Sequence, residues 1–212
     1  LAWLGDLATA QTELSAVMHF AEHEGRNSSW MHAFMIELAW FRGELSDVMH
    51  HAQRALEFAH DGGGPFFEAV AGRAQGLALC LVGRAAEAVP LLEKLTPLSA
   101  PGGLAQQFQA NHLATLARAY SGAGQFTKAL QTVETAIASA QASSSRLWEI
   151  NAWLVLLDLP PEIISRERAV SALKQRHEQL QLLDDWVQRG LSPARVRQER
   201  ARERGRAGAS GR

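Results

Sequence analysis

The sequence has a single cysteine, Cys80, and few β-branched aliphatic residues among its 212 residues. Ten valines and five isoleucines stand against 36 alanines and 28 leucines, which are strong helix formers. This balance predicts an all-α fold and disfavours a β-sandwich, a barrel or a parallel sheet. A single cysteine also excludes a disulfide framework and a four-cysteine zinc site.

Long hydrophobic runs are also missing. The longest apolar runs, residues 77–82 and 152–157, are far too short to span a bilayer. The chain does not open with a basic segment followed by an apolar stretch and small residues, as a secretory leader would. We therefore expect a soluble cytoplasmic protein without membrane contact. Because the first residue is Leu1 rather than methionine, we expect the sequence to be part of a longer chain.

The formal net charge of −1 hides an uneven distribution of charged residues. Residues 189–212 contain eight arginines and two glutamates, whereas the preceding residues are acidic overall. Residues 190–212 lack a hydrophobic stripe, which is typical of a disordered tail. They also lack interleaved aromatic residues, so we expect no specific nucleic-acid contact and leave open a non-specific contact with polyanions.

A repeat organises most of the chain. Gly5, Gly43, Gly83 and Gly124 follow one another at intervals of 38, 40 and 41 residues, each between two helical patterns. Glycine is the residue that most easily adopts the left-handed conformation in which many helices end. The spacing therefore predicts helical hairpins that turn at these glycines.

The clearest copy of the repeat resembles the tetratricopeptide repeat family. The matching residues are Leu113, Leu116, Ala117 and Tyr120 in the first helix, Gly124 in the turn, and Ala129, Val133 and Ala136 in the second helix. The resemblance implies a right-handed α-solenoid of tetratricopeptide-like hairpins over residues 1–189, with turns at about residues 5, 43, 83, 124 and 160. A polar helix after Pro161 would cover the last hairpin.

The long period and the missing terminal proline depart from the usual repeat. They are more similar to the helical-repeat region at the C-terminal end of large bacterial ATPase-coupled adenylate/guanylate cyclases and LuxR/maltose-activator-type transcription regulators. This resemblance implies a non-catalytic interaction or sensing module, although the parent chain could be a nucleotide cyclase or an ATPase. No cofactor is expected, and the oligomeric state stays open.

In tetratricopeptide-like hairpins, the first helices line a concave groove that binds a protein segment, a peptide or a small-molecule effector. The corresponding outward positions in this chain are Trp30, Glu37, Trp40, Arg73, Leu77, Asn111 and Arg118. Tryptophan and arginine are enriched at binding hot spots, and Arg73 and Arg118 could bind a partner carboxylate. The alternative is that the tryptophans belong to the core and that the arginines pair with Glu37 or Glu68.

A third hypothesis concerns a possible metal site. His19, Glu22 and His23 match the H-x-x-E-H pattern of inverted zinc peptidases, and residues four apart share one face of a helix. A metal-dependent hydrolase would need a further ligand and a mixed α/β fold, so a solvated helix end is the preferred interpretation. Cys80 lies between two leucines and is predicted to be a small buried apolar residue.

Overall fold

The computed structural model describes residues 7–26, 28–61, 64–165, 167, 170, 171 and 174. The chain divides into two compact units, residues 1–164 and 165–212. The predicted turn at Gly5, the tail at 190–212 and most of the predicted terminal helix after Pro161 lie outside the described residues.

The described part of the first unit is helical, and no strand occurs in it. This confirms the all-α prediction. The helices are α1 (Leu7–His23), α2 (Ser29–Arg42), α3 (Val48–His60), α4 (Gly64–Leu81), α5 (Ala85–Ser99), α6 (Gln109–Gly122), α7 (Phe126–Ala142) and α8 (Arg146–Leu157), with a short 3₁₀ turn at Gln106–Phe108.

Three turns share one backbone geometry. Gly43, Gly83 and Gly124 have positive φ angles of 71°, 80° and 75°. The amide that follows each glycine donates a hydrogen bond to the carbonyl five residues before it, as Arg84 does to Leu79 over 2.8 Å. This is the hydrogen bond of a Schellman motif, which satisfies carbonyl groups at a helix end. The predicted glycine hinges between α2 and α3, α4 and α5, and α6 and α7 lie at these turns.

Small residues allow α4 and α5 to pack closely. A Cβ atom added to Gly76 would lie 2.6 to 2.9 Å from three atoms of the Leu92 side chain, which is fully buried. Ala88 on α5 and Ala129 on α7 are also fully buried. These side chains are small because two helix backbones approach each other at these positions.

The helices pack in chain order, and the even-numbered helices also contact one another. Each helix contacts the next one along the chain, while α2 contacts α4, α4 contacts α6, and α6 contacts α8. Helices α3, α5 and α7 make few or no contacts with each other. Side chains from α2, α4, α6 and α8 therefore converge on one side of the unit.

Candidate functional site

Each even-numbered helix contributes one polar residue to a buried ladder. Glu37, Arg73, Asn111 and Asn151 are all at least nine-tenths buried. Glu37 Oε1 lies 3.0 Å from Arg73 Nη2 and accepts a hydrogen bond of 3.1 Å from Asn111 Nδ2. Asn151 Nδ2 donates in turn to Asn111 Oδ1 over 3.0 Å. Pairing is what makes such burial tolerable, because an isolated buried charge is costly.

A second contact between α2 and α6 lies at Trp40. The Arg118 guanidinium stacks over the Trp40 ring, with its Cζ atom 4.3 Å from the ring centre. Arg118 Nη1 also lies 3.7 Å from Asp158 Oδ2 after the end of α8. Arg118 and Cys80 line a neighbouring cavity of about 290 Å³. Arg118 therefore bridges three parts of the chain.

These contacts change the expectation for the groove. The sequence pattern placed Glu37, Arg73 and Asn111 at outward positions, but the structure buries them because side chains from α2 and α6 meet across α4. The alternative pairing of an arginine with Glu37 holds for Arg73. Contact between any of these residues and a ligand stays a prediction.

Aromatic side chains line an apolar pocket of about 270 Å³ beside the buried ladder. The pocket is lined by Trp30, Ala33, Phe34, Phe66, Phe67, Val70, Arg73 and Phe108. Two of these residues, Trp30 and Arg73, belong to the groove residues predicted from the sequence. Small-molecule sites are usually lined by apolar side chains together with a few polar groups.

The aromatic rings of the pocket hold one another in place. Trp30 and Phe34 lie one turn apart on α2 and meet edge to face at 5.7 Å between ring centres. Phe66 packs edge to face on Phe67 at 5.2 Å and lies 6.0 Å from Phe108. These separations are in the favourable range for aromatic pairs. Each of the five rings that line the pocket therefore contacts another ring of the lining.

Arg73 supplies the positive charge of the pocket. Only 5% of its side chain is exposed, and its Nη2 atom pairs with Glu37. Its Nε and Nη1 atoms have no hydrogen-bond partner among the described residues, although both atoms are shielded from solvent. Buried N–H groups are nearly always hydrogen-bonded, so these donors are unusual. Two buried acceptors, Glu37 Oε2 and His112 Nδ1, also have no hydrogen-bond partner among the described residues.

His112 lies on α6, where the positive charge of Arg73 acts on its ring. His112 Nε2 is 3.0 Å from the Thr96 hydroxyl, which itself donates to the Leu92 carbonyl. The hydroxyl oxygen therefore accepts from Nε2–H, and Nδ1 carries the lone pair. Burial, reinforced by the positive charge of Arg73, lowers the pKa of His112 to about 4. His112 is consequently neutral at neutral pH.

A separate cluster of titratable side chains joins α1, α2 and α3. His32 Nε2 lies 2.9 Å from Glu22 Oε1, and His32 Nδ1 lies 2.9 Å from His51 Nδ1. If Nε2–H of a neutral His32 donates to the carboxylate, Nδ1 must accept from His51. Burial is the main cause of the lowered pKa of both rings, which for His51 falls to about 4. This arrangement explains how two imidazoles pack together without repulsion.

The structure places His19 and His23 on exposed parts of α1. In the part of the chain that the structure describes, no group of three or more histidine, cysteine or acidic side chains is arranged to hold a metal ion. Cys80 is half-buried, and burial raises the pKa of its thiol to about 11. Its thiol is therefore protonated at neutral pH, although Cys80 is less buried than the sequence predicts.

Sequence reasoning missed four of the five aromatic residues in the pocket. Phe66 and Phe67 are adjacent at the start of α4, and Phe34 lies four residues after Trp30. That spacing on α2 is a signal that two rings share one helix face. Phe108 could not be placed by the repeat pattern, because it lies in the 3₁₀ turn of a connecting segment that the pattern does not include.

Within the described residues, no helix combines the length and the apolar character needed to cross a membrane. No family model matches the chain, and no curated protein matches it.

Proposed function

We propose that this chain is a non-catalytic helical-repeat module that recognises a ligand in the aromatic pocket. The observation that carries the proposal is the apolar pocket of about 270 Å³ that five aromatic side chains line. Such a pocket can bind an apolar body and orient it by one polar contact. None of the interactions described above requires a chemical reaction in this pocket.

The size of the pocket favours a small molecule over a long peptide. A cavity of about 150 Å³ is large enough for benzene, and the aromatic pocket has about 270 Å³. It therefore has room for a one- or two-ring compound or a single side chain, but not for a helix. This favours the sensing arm of a transcription regulator over a scaffold that binds an extended protein segment.

We extend the proposal to the architecture and the parent protein. Successive contacts among the even-numbered helices, together with the repeated glycine turns, support a right-handed solenoid of tetratricopeptide-like hairpins. We propose that the chain is the C-terminal region of a larger bacterial signalling or transcription regulator in the cytoplasm. The coding sequence upstream of Leu1 tests this, since it should encode a cyclase, an ATPase or a DNA-binding domain.

The binding function can be tested with a panel of metabolites and peptides and a thermal-shift readout. We expect at least one compound to raise the unfolding temperature of the wild-type protein. Phe67→Ala should weaken its binding by about tenfold or more, because an aromatic contact is lost from the pocket wall. Trp30→Ala should have a similar effect.

Phe20→Ala provides the matched control. Phe20 is an exposed phenylalanine on α1, outside the pocket, so its removal should leave binding unchanged. The proposal fails if no compound stabilises the protein, or if the compounds that bind do so equally well to the Phe67→Ala and Trp30→Ala variants.

A further inference from the structure

We infer that the contact between His32 and His51 is a pH-sensitive switch between α2 and α3. At neutral pH the two rings share one N–H···N hydrogen bond, and acidification opens the contact by protonating both rings, so that His51 turns toward Asp47. This inference is independent of ligand binding in the aromatic pocket. Three observations carry it: the distance between two ring nitrogens, the burial of each ring, and the charges around them.

The short distance between the rings fixes where their protons lie. His32 Nδ1 is 2.9 Å from His51 Nδ1, so one nitrogen must donate a hydrogen bond and the other must accept it. His32 Nε2 is 2.9 Å from Glu22 Oε1, and an ionised carboxylate can only accept. Neutral His32 therefore carries its proton on Nε2, and neutral His51 carries its proton on Nδ1.

Protonation of both rings is incompatible with this contact. A first proton can be taken up at His51 Nε2, which leaves the hydrogen bond between the rings intact. A second proton would place an N–H group on both Nδ1 atoms, so that two donors would face each other across 2.9 Å. Two positively charged rings, whose centres are 5.2 Å apart, would also repel each other. The fully protonated pair must therefore separate.

Burial decides which of the two rings moves. Only 3% of the His32 side chain is exposed, and its ring stacks on Phe58 at 5.7 Å between ring centres. When it is protonated, His32 keeps Glu22 as a charge-assisted partner. His51 is half-buried and lines a cavity of about 110 Å³ together with Asp47. Because His51 has both room and an acidic neighbour, it is the ring that turns away.

The neighbouring charges and the burial of the rings set the pH range of the switch. Glu22 on α1 and Asp47 before α3 favour protonation, whereas Arg54 and His50 on α3 oppose it. Burial is the main cause that lowers the pKa of both rings, for His51 to about 4. The usual value is 6.5, so the contact is complete above pH 6.5 and is lost as the pH falls toward 4.

Further charged residues around the two rings are paired or exposed. Arg42 and Glu44, which line the same cavity as His51, bind each other through two hydrogen bonds of 2.8 Å. These hydrogen bonds lower the pKa of Glu44, so it stays ionised while the histidines titrate. On α4, which packs against both α2 and α3, Glu68 is exposed and Arg73 pairs with Glu37.

NMR of the imidazole nitrogens in the full 212-residue chain tests the switch directly. At pH 7 we expect opposite tautomers, with the proton of His32 on Nε2 and that of His51 on Nδ1. As the pH falls toward 4, the pair should take up two protons in separate steps, because the first protonation opposes the second. The nuclear Overhauser contact between the rings should survive the first step and disappear in the second. The same tautomer on both rings at pH 7, or an undiminished ring contact at pH 4, would overturn the inference.

The amides of α7 and α8 show whether the change is local. Neither helix carries a histidine, so their resonances should stay in place while those of His32 and His51 change. Simultaneous loss of all native resonances would mean global unfolding and would also overturn the inference.

His32→Phe removes the imidazole partner of His51 but keeps a ring that can stack on Phe58. Without a second imidazole to repel it, protonated His51 should form at a pH higher by about one unit. The control is His50→Gln, which removes an exposed neighbour on α3 and should shift the midpoint by less than about half as much. An unchanged titration of His51 in a folded His32→Phe protein would contradict the inference.

Asp47→Asn gives a readout that does not depend on replacing a buried residue. Asp47 is exposed, and its carbonyl accepts a hydrogen bond of 2.9 Å from the His51 amide. Without this carboxylate the turned ring loses its acidic neighbour, so opening should need a pH lower by about half a unit. Asp61→Asn, at the opposite end of α3, is the matched control and should leave the midpoint unchanged. Equal effects of the two variants would contradict the movement of His51 toward Asp47.

Discussion

At Gly76, the absence of a side chain sets the distance between α4 and α5. Three atoms of Leu92 occupy the space that a Cβ atom would need, and Leu92 is itself fully buried. Glycine is a poor helix former, so its presence inside α4 has a cost in helix propensity. The close contact with Leu92 is the physical reason why glycine occupies this position despite that cost.

Gly76→Ala should lower the free energy of unfolding despite its better helix propensity. Overpacking costs about 1–3 kcal/mol, while alanine recovers about 1 kcal/mol over glycine in a helix. We expect a net loss of about 1 kcal/mol, measured by urea denaturation. In a Leu92→Ala background the same substitution should become stabilising, because the clash is gone. Stabilisation in the wild-type background would contradict the packing argument.

Cys80 gives a second test at the level of one residue. The raised pKa of about 11 keeps the thiol protonated, and the thiolate is the reactive form. At pH 7.5 we therefore expect iodoacetamide to modify native Cys80 at least about 100-fold more slowly than a thiol with the usual pKa of about 8.5. Mass spectrometry follows the reaction, and the unfolded chain in urea is the control. Equal rates in the native and unfolded chains would refute the prediction.

At the level of the element, α1, α2, α4, α6 and α7 each end with one left-handed residue, which is glycine except after α7. Gly83 has a φ angle of 80° after α4, and Ser144 has a φ angle of 54° after α7. The Ser145 amide donates to the Ala140 carbonyl over 2.9 Å, the same hydrogen bond as at the glycine turns. Serine at this position is strained, because its Cβ atom disfavours the left-handed conformation.

Gly83→Ala and Ser144→Gly should therefore have opposite effects. Alanine at residue 83 should lower the free energy of unfolding by about 1 kcal/mol, and glycine at residue 144 should raise it by a similar amount. Ser143→Gly is the control for the second change, because Ser143 has a φ angle of −86° and gains nothing from glycine. Thermal unfolding distinguishes the cases, and stabilisation by Ser143→Gly equal to that by Ser144→Gly would argue against relief of strain.

The helices and their glycine turns could be predicted from the sequence, whereas the binding pocket could not. Periodic apolar residues and the spacing of Gly43, Gly83 and Gly124 are local signals, and the structure places turns at these glycines. A helical pattern shows which residues share a face, but not which distant helix covers that face. The pattern therefore predicts an exposed Arg73, whereas in the structure its side chain is buried and paired with Glu37. The pocket also needs Phe108, which belongs to no repeat unit.

At the level of the whole molecule, buried neutral histidines make stability depend on pH. His112 has a folded pKa of about 4, below the usual value of 6.5 for a histidine side chain. The unfolded chain therefore binds more protons between these values, so stability is complete above pH 6.5 and decreases as the pH falls toward 4. The contribution from His112 alone is about 3 kcal/mol. The lowered pKa of His51 acts in the same direction.

We expect urea denaturation at pH 7 and at pH 4.5 to show this loss of stability. His112→Gln should reduce the difference between the two pH values, because glutamine keeps a donor for Thr96 but does not titrate. His60→Gln is the matched control, since His60 is exposed at the end of α3. A pH dependence that is unchanged in His112→Gln would contradict this explanation.

The buried ladder has a mechanical consequence for residues 7–164. Repeat proteins commonly unravel from one end, because each hairpin contacts only its neighbours. The hydrogen bond between Asn111 and Glu37 joins residues 74 positions apart and passes over the α4–α5 hairpin, and Asn151 ties α8 into the same chain of bonds. Detaching α8 would therefore disrupt a hydrogen-bond network that extends to Glu37 on α2. When this segment is stretched in an optical trap, we expect it to unfold in one step rather than in a series of smaller steps.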